Sequence, residues 1–241
     1  MRPLTRKTAD ALADRVLAAA VEADLLPAGE PVDWDRYARL RELIHARFHV
    51  PATTITPLMA RVLYGVGCLL RPARLLGIGT YVGHAFAWLS APGFGPERLY
   101  NGNVALAVDV DADAITMSQA NLDPSAGWSV EHAVVDGREA PPMFGGGWDA
   151  LWLDADDPDE RKGILAPLLD VAYPFLAPGS VVLTHDIAVD RFGDQMRRYR
   201  ERISDPARFA ATGGFVVDPC GVEISVKFAG AGACELDRAR T

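Results

Sequence analysis

The feature that most restricts how this 241-residue chain can fold is an apolar run that ends in a cluster of glycines, Leu75-Leu76-Gly77-Ile78-Gly79-Thr80-Tyr81-Val82-Gly83. A short apolar run bounded by glycine reads as a buried strand, and a helical pattern over 83–90 follows it at once. Glycine lets the backbone turn that sharply and lets a ligand approach it closely. The alternation then continues. Residues 104–108 read as a second strand ending at Asp109, with a helix at about 112–122 after it. Strands are expected at 130–135, 149–153 and 180–184, with helices over 160–176 and 193–204. Residues 215–217 and 222–228 can pair as an antiparallel edge hairpin around Pro219-Cys220-Gly221. Strand–helix alternation with apolar strands predicts an α/β chain built on a mostly parallel sheet covered on both faces. Three helices come first. They are expected over 5–26, from an Asp33 N-cap to about 48, and from Pro57 to about 70, with prolines breaking the chain between them.

Composition narrows the class of partner. The formal net charge is −8 and no block of lysine or arginine is present, which argues against a nucleic-acid binder. Arg197, Arg198, Arg200 and Arg202 are interleaved with Tyr199 and Glu201 and read as a solvated helix face. Cys68, Cys220 and Cys234 are scattered and odd in number, as in a reduced protein. No apolar run approaches the roughly 20 residues of a membrane helix. Asp10 and Asp14 interrupt the start before a secretory core forms. The expectation is a cytoplasmic protein with a small-molecule substrate, bound to neither membrane nor nucleic acid, with a homodimer left open.

The candidate site residues all fall at strand ends. Three residues separate Gly79 from Gly83, whereas a dinucleotide fingerprint has two between its second and third glycines. This spacing fits adenosylmethionine better than NAD. Asp109 ends the second strand, where a carboxylate can accept from both ribose hydroxyls; Asp111 is its rival, and Val110 lies between them. Asp136-Gly137 follows the third strand, where loops can meet an adenine ring. Leu153-Asp154-Ala155-Asp156-Asp157 ends the fourth strand, and Thr184-His185-Asp186 ends the fifth. Asp154, His185 and Asp186 can thus converge at the ligand-binding edge of the sheet. They form either a divalent-metal set for Mg, Mn or Fe(II) or a hydrogen-bonded polar group without metal, the second being favoured. Asp157, Asp159 and Glu160 read as solvated residues starting the next helix. His45, His49, His84 and His132 read as structural.

The segment from Leu75 to Gly83 resembles the first motif of the class I adenosylmethionine-dependent methyltransferases, closest to the catechol and caffeoyl-CoA O-methyltransferase group. Leu153-Asp154-Ala155-Asp156 resembles that group's acidic motif, and residues 219–227 its closing strand. The similarity spans roughly residues 51–228. It implies a Rossmann-like, doubly wound, seven-stranded sheet with the last strand antiparallel, on residues 71–230. Residues 1–70 add helices that form a lid or dimer contact, and 231–241 form a loosely held tail. Gly77, Gly79, Tyr81 and Gly83 would line the methionine end of the cofactor and Asp109 would hold its ribose. Thr54, Ile55 and Thr56 would close over it. The chain departs from the group in three places. Gly77 replaces an acidic residue, Asp157 stands where a lysine is usual, and His185-Asp186 replaces a metal-binding Asp-Asn. The resemblance implies a conserved cofactor site beside a rebuilt acceptor site.

Three functions follow. In a small-molecule methyltransferase, His185 would be general base, oriented by Asp154 or Asp186. In a cyclase making azetidine-2-carboxylate and methylthioadenosine, Tyr81, Asp154 or residues 53–56 would hold the cofactor's amine. The third is a non-catalytic adenosylmethionine-binding protein.

Overall fold

In a computed structural model, residues 5–51 and 54–230 are described. Thr53 and the expected loose tail at 231–241 lie outside them. Three helices come first: α1 (Arg6–Glu22), α2 (Trp34–Arg47) and α3 (Pro57–Leu70). Asp33 caps α2 by accepting from Asp35 N and Arg36 N, and Thr56 caps α3 by accepting from Met59 N. The rest alternates: β1 (Arg74–Ile78), α4 (His84–Phe94), β2 (Val104–Asp109), α5 (Ala112–Asn121), β3 (Glu131–Val134), α6 (Ala140–Phe144) and β4 (Trp148–Leu153). It ends with α7 (Leu165–Ala172), β5 (Leu176–His185), α8 (Arg197–Ile203), β6 (Phe209–Phe215) and β7 (Val222–Lys227).

The strands form one seven-stranded sheet in the order β3-β2-β1-β4-β5-β7-β6. Strands β1 to β5 pair in parallel, and β7 runs antiparallel to both β5 and β6. Alternate strand residues feed two cores. Leu75, Ala105, Ala150 and Trp152 face α1–α4, while Leu76, Leu106, Leu151 and Leu153 face α6–α8. Both faces of the sheet are therefore dry, which is why its strands are continuously apolar.

The N-terminal helices share the first core rather than standing apart from the sheet. Tyr37, Tyr64 and Trp88 bring α2, α3 and α4 together, with Tyr37 ring centroids 5.4 Å from Tyr64 and 5.0 Å from Trp88. A buried ion pair ties α1 to α3, with Arg61 Nε 2.7 Å from Asp10 Oδ1. Among the described residues, no helix is long and apolar enough to cross a membrane.

Two sequence expectations change. The strand expected at 215–217 is β6, which ends at Phe215 instead of starting there. The long helix expected over 160–176 shrinks to α7 behind a closed turn, because Asp157 and Arg161 exchange both backbone hydrogen bonds.

Candidate functional site

The carboxyl ends of β1–β4 open into a cleft of about 450 Å³. Its floor is set by the turn after β1, where Gly79 N and Thr80 N both donate to Val108 O at 2.9 and 3.2 Å. Gly79 has φ +75°, and a Cβ there would lie 2.5 Å from the backbone of Ala155. The turn therefore demands glycine twice over, for its left-handed backbone and for the tip of β4 packed against it. Tyr81 also has positive φ, at 49°. Its N–H donates to Asp109 Oδ2 at 2.8 Å, which leaves the ring half-exposed at the rim.

Asp109 Oδ1 accepts from Asp111 N at 3.1 Å. The Asp111 carboxylate instead caps α5, accepting from Asp113 N and Ala114 N. Each Asp109 oxygen keeps lone-pair capacity toward the cleft. Val110 is 67% exposed and lines the same cleft, a large apolar side chain offered to a ligand face. Asp136 and Gly137 complete that wall, with Asp136 Oδ1 accepting from Arg138 N.

Other expected residues lie elsewhere. Gly77 is behind the turn; a Cβ there would meet Phe86 and Thr80 at 2.6 Å, so packing with α4 fills the space an acidic side chain would need. Gly83 begins α4 against Ser118 and Leu122 of the α5 region. Neither lines the cleft. Thr54, Ile55 and Thr56 do not line this cleft, although Thr56 reaches Asp218, which clusters with His185. They line a second cavity of about 370 Å³ with Tyr37, His45 and Trp88. The reason is local. Thr54 Oγ1 pairs with His84 Nδ1, and Thr56 Oγ1 donates to Asp218 Oδ2 at 2.8 Å. Trp88 Nε1 donates to His84 Nε2 at 3.1 Å, and burial lowers the His84 pKa to about 4. His84 is a neutral structural histidine. His132 pairs with Ser118 Oγ, and burial lowers its pKa too.

Asp154, His185 and Asp186 do converge. His185 Nδ1 lies 3.4 Å from Asp154 Oδ2 and 3.5 Å from Asp186 Oδ1. The fourth member was missed by sequence reasoning. Lys162 Nζ donates to Asp154 Oδ1 at 2.8 Å and lies 2.9 Å from Asp186 Oδ2, and the residue is 1% exposed. The closed 157–161 turn delivers it. Asp157 accepts from Asp159 N and Glu160 N, Arg161 Nη2 binds Asp156 Oδ2 at 2.7 Å, and Arg161 adopts φ 51°. A lysine eight residues beyond Asp154, inside an expected helix, gave no local signal.

The electrostatics follow from burial and contact. Burial alone would raise the Asp154 pKa, but Lys162 and His185 hold it at about 2. Burial opposes charge on Lys162, yet the two carboxylates raise its pKa well above the usual lysine range. His185 is likewise disfavoured as a cation by burial, and Asp154 outweighs that to raise its pKa. His185 Nε2 is buried with no hydrogen-bond partner among the described residues. Asp186 carries the positive φ of 65°. Left-handed non-glycine residues cost of order 1–3 kcal/mol and collect where function over-determines them.

One ligand atom from each of Asp154, His185 and Asp186 lies within 4.8 Å of the others, a spacing compatible with a divalent metal. The donor set does not fit one, because the buried Lys162 ammonium holds one oxygen of each carboxylate and the remaining two oxygens face His185 Nδ1.

No protein-family model matches the chain, and no curated protein matches it by sequence. Solved structures do resemble it. An O-methyltransferase from Bacillus cereus in complex with SAH aligns at 16% identity and a TM-score of 0.60, covering 92% of this chain and 100% of that one. The Streptomyces achromogenes O-methyltransferase of tomaymycin synthesis, in complex with SAM, aligns at 15% identity and 0.63, covering 94% and 100%. An SAH-bound methyltransferase from Podospora anserina gives 15% and 0.59, covering 94% and 98%. In strand order, reversed last strand and flanking helices, this chain has the fold of the class I adenosylmethionine-dependent methyltransferases.

Proposed function

We propose that the protein is an adenosylmethionine-dependent methyltransferase acting on a hydroxyl of a small molecule, with His185 as general base. The observation that carries this reading is the adjacency of two features. The cleft presents Asp109 beside the glycine turn, and Asp154 links the same cleft to the His185 ring. Solved neighbours hold SAM or SAH in this fold. The residues fit that cofactor: Asp109 offers acceptors to two ribose hydroxyls, Val110 an apolar face, Asp136 and Gly137 a wall for the base. Gly79 lets the turn pack directly against the tip of β4. Bound there, adenosylmethionine supplies an electrophilic methyl group on its sulfonium.

The chain's own task is to align an acceptor, exclude water and move one proton. Asp154 faces His185 Nδ1, which fixes the tautomer with Nδ1–H toward the carboxylate. Nε2 then carries the free lone pair, and an acceptor hydroxyl beside it would provide its missing partner. The proton passes from that hydroxyl to Nε2, and the resulting imidazolium is stabilised by Asp154 and Asp186.

Incubation of the purified protein with labelled adenosylmethionine tests this, with and without a panel of phenolic and other hydroxyl compounds. Adenosylhomocysteine formed only with an acceptor is the expected result. Methylthioadenosine formed without acceptor, or tight binding with no product from any acceptor, refutes it.

A further inference from the structure

We propose that the Lys162 ammonium is a built-in cation standing where a divalent metal would bridge Asp154 and Asp186, so that the site excludes metal and functions without one. The inference concerns the acceptor side of the site assigned above. Its test reads metal binding alone, and so fails or succeeds separately from methyl transfer.

Asp154 Oδ1 and Asp186 Oδ2 leave one position for one cation between them, and the other two carboxylate oxygens already face His185 Nδ1 at 3.4 and 3.5 Å. Nζ lies 2.8 Å from Asp154 Oδ1 and 2.9 Å from Asp186 Oδ2, the length of charge-assisted hydrogen bonds. A hard divalent cation needs carboxylate oxygens at about 2.0–2.6 Å. An ion meeting both oxygens at that distance would fall almost on Nζ, where the ammonium repels it and supplies no lone pair. Its third N–H is directed to the Asp154 carbonyl at 3.5 Å. The ammonium therefore has three oxygen partners.

The chain also spends structure on placing this one side chain. The residue before it, Arg161, sits at φ 51° and ψ −131°, and the turn that holds it is closed by the paired Asp157 and Arg161 backbones. Lys162 N donates to Gln195 Oε1, which fixes the stem from the β5–α8 connection. Charge balance agrees. Two carboxylates and one ammonium leave one negative charge, and protonation of His185 neutralises it. Asp218 and Cys220 approach His185 from the β6–β7 turn and add no cation. Lys162 is thus a positioning residue. It holds Asp154 in place, and Asp154 in turn faces the His185 ring.

Mn²⁺ titration followed by electron paramagnetic resonance, without adenosylmethionine, tests the proposal. Wild-type protein dialysed against chelator should leave added Mn²⁺ free. Lys162→Ala empties the position while keeping Asp154, His185 and Asp186, and should bind one Mn²⁺ at least about tenfold more tightly than wild type. The gain should vanish in Lys162→Ala/Asp186→Asn. Wild-type protein that binds one Mn²⁺ and loses it on Asp154→Asn overturns the proposal, and this arm needs no lysine variant to fold. A folded Lys162→Ala that gains no Mn²⁺ also overturns it.

Discussion

Replacing Lys162 with methionine keeps most of the stem and removes only the charge. Two carboxylates would then face each other with no ammonium between them, at a site where Lys162 is 1% exposed and the aspartate side chains are 20% and 19% exposed. Removing one partner of a buried ion pair costs about 3–5 kcal/mol. The residual exposure of both acids places the cost at the lower end, about 3 kcal/mol. For a chain of this size each kcal/mol moves the melting temperature by about 2–4 °C, so a fall of about 6–12 °C is expected. The effect should depend on pH in a defined direction. Asp154 has a folded pKa of about 2, below its ordinary 3.8. Its contribution is present above pH 4 and is lost as pH falls toward 2. Calorimetry of both proteins at pH 7 and pH 3 should therefore show a smaller gap at the lower pH. A shift under about 2 °C at pH 7, or an equal gap at both values, would refute a desolvated ammonium stabilising these acids.

Three further outcomes follow from the same site. The pKa of His185 is raised, chiefly because Asp154 outweighs burial. A base must be neutral, so kcat/KM should rise with pH along a limb lying above 6.5, and Asp154→Asn should move that limb to lower pH; an unmoved limb excludes the pair. If Asp109 holds the ribose as proposed, Asp109→Ala, which also frees Tyr81 N, should weaken adenosylmethionine binding at least about tenfold, or about 1.4 kcal/mol. Unchanged calorimetric affinity in the folded variant would take Asp109 out of the site. In Gly79→Ala the new Cβ meets the Ala155 backbone at 2.5 Å, so cofactor binding should fall together with stability; a variant that melts and binds like wild type would show that the turn does not need glycine.

Much of the site was legible because strand ends bring distant residues together by topology. Asp109, Asp154 and His185-Asp186 each follow an apolar run, and parallel strands deliver their carboxyl ends to one edge. The Asp33 and Thr56 caps were legible because capping is local chemistry. Residues that depend on packing were not. Gly77 looks like a ligand-binding glycine, but only the approach of Phe86 shows that it serves the α4 interface. Nothing local in Thr54–Thr56 shows that His84 and Asp218 hold them.

Sequence alone determined the alternation of strands and helices, and with it the doubly covered sheet, since apolar periodicity and glycine turns act over a few residues. It also determined the row of carboxylates along the sheet edge. Tertiary structure alone decided what balances their charge. Lys162, placed from beyond the turn closed by Asp157 and Arg161, bridges Asp154 and Asp186. Burial and the distance between two aspartates on different strands set that choice, and neither is a property of any local run of residues.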